Sequence, residues 1–170
     1  MRSADSPPTV VLYQLGDVIK RRLTEWGYDV MDVQDPFRAS GIFNARVLLN
    51  NDIIIYLGHG EVDRLYGNFW LGYWIPFLAK RDKDLVRKKV VITYACLSGR
   101  ELGPYLVSND TRAYAGSDYY MYVAYDTEIQ YSKYYFEPFL AFIEDFFRKG
   151  KSLASAIITY RNLALRNVAI

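Results

Sequence analysis

The chain is poor in the residues that most often carry redox or metal chemistry: 170 residues contain one cysteine, Cys96, and one histidine, His59. A single cysteine excludes an internal disulfide framework and every multi-cysteine metal site. Glutamine is also scarce, limited to Gln14, Gln34 and Gln130. Beside many charges and aromatics, that scarcity is the composition expected of a thermophilic source. Neither charge is in excess, since 21 Lys and Arg stand against 19 Asp and Glu, a net charge of +2. Such balance leaves no electrostatic footprint for nucleic acid. The two short basic clusters, Lys20-Arg21-Arg22 and Arg87-Lys88-Lys89, read as solvated helix ends. No apolar run approaches the roughly 20 residues of a membrane span, and residues 1–8 lack the apolar stretch of a signal peptide. The expectations are no nucleic-acid partner, no membrane, a cytoplasmic location, no metal and no cofactor, with the oligomeric state left open.

What is present is core material. Half of the chain is apolar (51%) and a quarter charged (24%), with 16 tyrosines, which is globular composition in a length that suits one domain. Residues 1–8 read as a loose leader and 9–170 as a single domain. Thr9 to Tyr13 is a β-branched run that predicts a buried strand; Leu15, Val18, Ile19, Leu23 and Trp26 then follow helical spacing up to Gly27. Tyr28 to Val33 alternates and predicts a second strand. Asp35-Pro36 opens a helix with Ile42, Phe43, Val47 and Leu48 on one face. Asp52 to Leu57 is a near-continuous apolar strand ending at Gly58-His59-Gly60. The aromatic, glycine-broken segment Glu61 to Phe77 predicts a loop or short hairpin, and Leu78 to Arg87 a charged helix. Val90 to Ala95 is another buried strand, ending at Cys96. Ser98 and Glu101 are spaced as a capping box for a short helix, Arg112 to Gly116 predicts a fifth strand, and residues 117–130 a loop. Two helices close the chain, one with Tyr135, Phe139, Phe142, Ile143 and Phe146 on a face, the other with Leu153, Ile157, Tyr160, Ala164 and Val168. Strands apolar on both faces, alternating with helices, predict an α/β fold with a mostly parallel sheet covered by helices.

The sole histidine and the sole cysteine each directly follow a strongly apolar strand. In open α/β sheets, ligands bind beyond the carboxyl ends of the strands. If the two strands are neighbours, His59 and Cys96 face one crevice, and a spacing of 37 residues leaves room for a crossover. A thiol needs activation to act as a nucleophile; a nearby imidazole and the N-terminus of the helix opening around Ser98 could both supply it. The N–H groups of Gly60 and Cys96 are candidate oxyanion donors. Taken singly, a lone cysteine is most often a small buried hydrophobe; it is the pairing at two strand ends, flanked by glycines, that points to chemistry.

Ile54-Ile55-Tyr56-Leu57-Gly58-His59-Gly60 resembles the strand–His–Gly motif of the caspase-like (clan CD) cysteine peptidases, and Ile92-Thr93-Tyr94-Ala95-Cys96-Leu97-Ser98-Gly99 resembles their strand–Ala–Cys motif. The wording is nearest to the legumain and gingipain branches. It departs from the caspase pattern at Tyr94, where caspases carry Gln, and at Ser98, which precedes Gly99. Ala113-Tyr114-Ala115-Gly116-Ser117 is similar to the strand after the catalytic cysteine, and Gly150-Lys151-Ser152-Leu153-Ala154-Ser155-Ala156 to the start of a late helix in bacterial relatives. The resemblance implies a three-layer α/β/α sandwich, no cofactor, and hydrolysis of a peptide or protein substrate through a Cys96–His59 dyad. It also implies a pocket that reads the residue before the cut bond. In members that cut after Arg or Lys a carboxylate lines this pocket, and Asp118, Asp126 and Asp17 are the candidates. Two other classes remain open: a non-catalytic caspase-like binding or regulatory module, and a small-molecule hydrolase or transferase using the same dyad.

Overall fold

The first helix, α1, runs from Pro7 to Glu25. Leu12, Leu15, Ile19 and Leu23 are all buried, and their spacing of three and four is that of one helical face. This register absorbs the Thr9–Tyr13 run that β-propensity assigns to a strand. Propensity differences of under about 1 kcal/mol per residue yield to a buried stripe, and proline is tolerated in a helix's first turn. Gly27 ends the helix as its sequence predicts. It holds φ +85°, the Gly27 N–H donates to Thr24 O at 3.0 Å, and the Tyr28 N–H donates to Leu23 O at 3.0 Å. That bond pair is a Schellman cap, which needs a left-handed residue.

The structure is a computed structural model describing residues 7–34, 42–70, 73–121 and 130–168. Asp35-Pro36, the expected start of the second helix, lies outside them; α2 is described over Ile42–Leu49. The chain divides into two compact units, Met1–Tyr13 with Asp32–Tyr122, and Gln14–Met31 with Val123–Ile170. Of the expected leader, Pro7 and Pro8 are already helical.

The first unit holds a three-stranded parallel sheet in the order β1 (Ile53–Leu57), β5 (Val90–Tyr94), β6 (Ala113–Ala115). Ile53 faces Val90 and Leu57 faces Tyr94, a constant offset of 37. The protein is therefore mixed α/β with a parallel sheet, as the apolar runs predict. A second, antiparallel sheet joins β2 (Gly60–Glu61), β3 (Arg64–Trp70) and β4 (Tyr73–Ala79) in that order. The aromatic segment is thus a long hairpin, and Pro76 sits on its edge strand beside a register shift, where a missing N–H costs no ladder bond. Leu78 and Ala79 belong to β4, and the expected charged helix is a 3₁₀ helix over Lys80–Val86. The core of this unit gathers Leu48, Ile54, Tyr56, Leu65, Phe77, Leu78, Val86, Val91, Leu102 and Leu106.

Two expectations fail here. Tyr28 to Gln34 form no strand: the Tyr28 hydroxyl instead donates to Phe147 O at 2.8 Å, and its ring meets Phe147 edge-on. The Ser98–Glu101 capping box is absent, because α3 starts at Leu102 and runs to Ser108. The Ser98 hydroxyl is buried and donates to Ala95 O at 3.1 Å.

In the second unit, α4 (Gln130–Ile143) passes into a π-helical turn, Glu144–Arg148, and α5 spans Leu153–Val168. Phe139, Phe142 and Ile143 are buried as predicted. On α5, Leu153, Tyr160 and Ala164 are partly buried, but Ala156 is fully buried while Ile157 is exposed. Asp145 is the buried charge of this unit, 3% exposed, and takes Lys151 at 2.7 Å and Lys149 at 2.9 Å. The Thr159 hydroxyl donates to it at 2.6 Å. These donors hold its carboxyl well below the usual carboxylate range.

Candidate active site

β1 and β5 are adjacent and parallel, so both deliver their next residues to the same rim of the sheet. The Gly58 N–H extends the ladder, donating to Tyr94 O at 3.2 Å. His59 and Cys96 are separated by the same 37 positions as every paired residue of the two strands. They therefore each stand two residues beyond the last paired position, at the same rim of the sheet. Both are partly buried, neither locked in the core nor out in solvent.

The next residue explains the glycines. A Cβ built on Gly60 would stand 2.7 Å from Cys96 O and 3.0 Å from the Ala95 Cβ, closer than carbon approaches such atoms. Only glycine lets the histidine loop lie against the cysteine turn. The Tyr66 N–H donates to His59 O at 3.0 Å, which makes Gly60 and Leu65 a non-hydrogen-bonded pair of the β2–β3 ladder. In such a pair the N–H points away from the partner strand, so the Gly60 N–H is turned off the hairpin.

The backbone of His59 is braced from beneath. Tyr56 is fully buried in β1 and stacks on Phe77; its hydroxyl reaches His59 O at 2.8 Å and also Tyr66 O. The His59 ring meets the Trp74 indole edge-to-face at 4.8 Å between centroids, and Trp74 in turn contacts Tyr66 at 5.5 Å. Burial and the neighbouring Glu61 carboxylate push the Tyr66 phenol up to about 12. Sequence reasoning missed Tyr56 and Trp74; for Trp74 the aromatic density of residues 61–77 was the available signal.

Cys96 sits at a sharp bend. Leu97 holds φ +53°, a conformation costing a side-chain-bearing residue roughly 1 kcal/mol. Thr93 and Ser98, both buried, share a hydroxyl hydrogen bond of 2.8 Å across the bend. A strap from the chain after β6 runs alongside: the Leu97 N–H donates to Tyr119 O at 3.1 Å and the Gly99 N–H to Ser117 O at 2.8 Å. At its end the Met121 N–H donates to the Cys96 Sγ at 3.3 Å, and the thiol faces Met121 O at 3.7 Å. The chain just after Cys96 is thus a strapped turn; α3 opens only at Leu102, so the expected helix end at Ser98 is not there to polarise the thiol.

The candidate carboxylates fall differently. Asp118 lies on the strap, exposed, with its Oδ1 only 2.7 Å from where a Gly99 Cβ would be. Asp126 lies outside the described residues. Asp17 does not follow a strand; it is exposed on α1, in the unit formed by Gln14–Met31 and Val123–Ile170, whereas His59 and Cys96 belong to the other unit. Among the described residues no group of three or more His, Cys, Asp or Glu side chains could hold a metal ion. No helix among them is long and apolar enough to cross a membrane. The chain matches no protein-family model, no curated protein and no solved structure.

Proposed function

We propose that this protein is a cysteine endopeptidase of the caspase-like kind, its parallel sheet the centre of an α/β/α sandwich, hydrolysing peptide bonds through a Cys96–His59 dyad. The observation that carries the reading is that the only imidazole and the only thiol each stand two residues past the end of adjacent parallel strands, with Gly60 packed against Cys96 O. In the reaction, the Cys96 thiolate attacks the scissile carbonyl and forms an S–C bond. The C–N bond then breaks as His59 gives its proton to the leaving amine. In the second half, His59 takes a proton from water, the hydroxide displaces sulfur from the thioester, and the acid leaves. The Gly60 and Cys96 N–H groups receive the oxyanion in both halves. Asp118, exposed on the strap beside Gly99, is the carboxylate suited to a basic residue before the cut bond.

A second reading has one observation in its favour. Cys96 Sγ is engaged by the main chain of Met121, as in a caspase-like module whose thiol is covered and does no chemistry. A panel of fluorogenic peptides varied at the residue before the cut, run on wild type and Cys96→Ala, separates the two. The peptidase reading expects cleavage, best after Arg or Lys, that falls by about 10⁴-fold or more in Cys96→Ala, and rapid alkylation of Cys96 by iodoacetamide. No cleavage, with alkylation as slow as for a covered thiol, would establish the module instead.

A further inference from the structure

The hairpin places an aromatic surface on the histidine side of the dyad, and its position assigns it a role that rests on the peptidase reading above. Trp74 is 38% exposed. The His59 ring stands against it at 4.8 Å and Tyr66 at 5.5 Å, and more than a third of the residue still faces solvent. In the reaction the two halves of the substrate part across the dyad. The acyl half stays on Cys96, beside the strap of residues 117–121. The amine half takes its proton from His59, so the residue carrying that amine must lie against the imidazole. Trp74 is the described aromatic side chain that both touches that imidazole and keeps apolar surface open to solvent. We propose that Trp74 forms the subsite for the residue immediately after the cut bond and selects a large aromatic side chain there. A flat ring can lie against the exposed indole in an offset or edge-to-face pair, while glycine at that position leaves the indole wet.

Aromatic pairs of this kind discriminate by roughly three- to tenfold. The experiment compares kcat/KM for two peptides identical except for Phe or Gly after the cut, on wild type, Trp74→Ala, Trp74→Leu, Trp74→Phe and Tyr73→Ala. Tyr73 is 77% exposed and, as the adjacent residue on the strand, points to the opposite face. The expected result is a Phe/Gly ratio of about three to ten in wild type, retained in Tyr73→Ala, falling to about one in Trp74→Ala and Trp74→Leu, and largely restored in Trp74→Phe. The preference for the residue before the cut stays as in wild type throughout. A merely structural Trp74 would lower both peptides together and keep the ratio; that result overturns the subsite and leaves the peptidase reading standing. Trp74→Leu keeps apolar bulk in place should the alanine variant not fold. Failure of wild type to cleave either peptide overturns the peptidase reading, and the subsite with it.

Discussion

Asp145 and Tyr114 each bury a polar group, one in each compact unit, and the two groups are partnered differently. Asp145 is saturated, with two lysines and a threonine on its carboxylate. The Tyr114 phenol is buried with its oxygen near the hydroxyls of Thr93 and Ser98 but without a hydrogen-bond partner, and burial pushes it up to about 12 against the pull of those two neighbours. It lies beside the residues that flank Cys96, where Leu97 is also held at φ +53°. The buried carboxylate of the helical unit is fully partnered; beside Cys96 one residue holds a left-handed backbone conformation.

The contrast can be broken at its sharpest point by adding one carbon to Gly60. In Gly60→Ala the new Cβ meets Cys96 O and the Ala95 Cβ, both tied to the end of a buried strand, so the histidine loop must move off the cysteine turn. A displacement near 1 Å lowers peptide cleavage by about 100-fold, while the melting temperature changes far less; unchanged kcat/KM would show that the close approach has no catalytic consequence. Asp145→Asn tests the other side. It removes the charge that Lys149 and Lys151 share and lowers stability by about 1–3 kcal/mol, at the lower end because those lysines are 51% and 44% exposed. The rate of Cys96 alkylation stays the same. Because the folded carboxyl titrates below its unfolded value near 3.9, the wild-type advantage over the variant is full above about pH 4 and shrinks as the pH falls through the folded pKa. Melting curves of both proteins across that range check the sign. The smallest effect belongs to Arg87→Ala. Its pair with Asp110, 3.2 Å apart, leaves both side chains more than half exposed, and its loss changes stability by less than about 0.5 kcal/mol, which a denaturant titration of the two proteins measures.

How much of this was readable in advance differed by segment. Ile53–Leu57 and Val90–Tyr94 declare themselves because a strand buried on both faces tolerates little but apolar residues, and the candidate dyad is simply the pair of residues placed just past their ends. Thr9–Tyr13 misleads because its three β-branched residues also fit a helix once Leu12, Leu15, Ile19 and Leu23 supply a stripe to bury. Tyr28–Val33 alternates, but it pairs with no strand among the described residues, and alternation alone makes no sheet. Ser98 has the spacing of a cap, yet its hydroxyl found Ala95 and Thr93 first.

From the amino-acid order alone came the apolar strands, the helix stop at Gly27 and the placing of His59 and Cys96 after strands, since each depends on neighbours within a few residues. Only the folded chain decided that the two strands pair in a register ending at one rim, that the Met121 main chain contacts the sulfur, and that Trp74 stands against the imidazole. Those contacts join residues 15 to 37 positions apart in sequence, and which distant backbone arrives beside a given group is set by the packing of the whole core rather than by any local pattern.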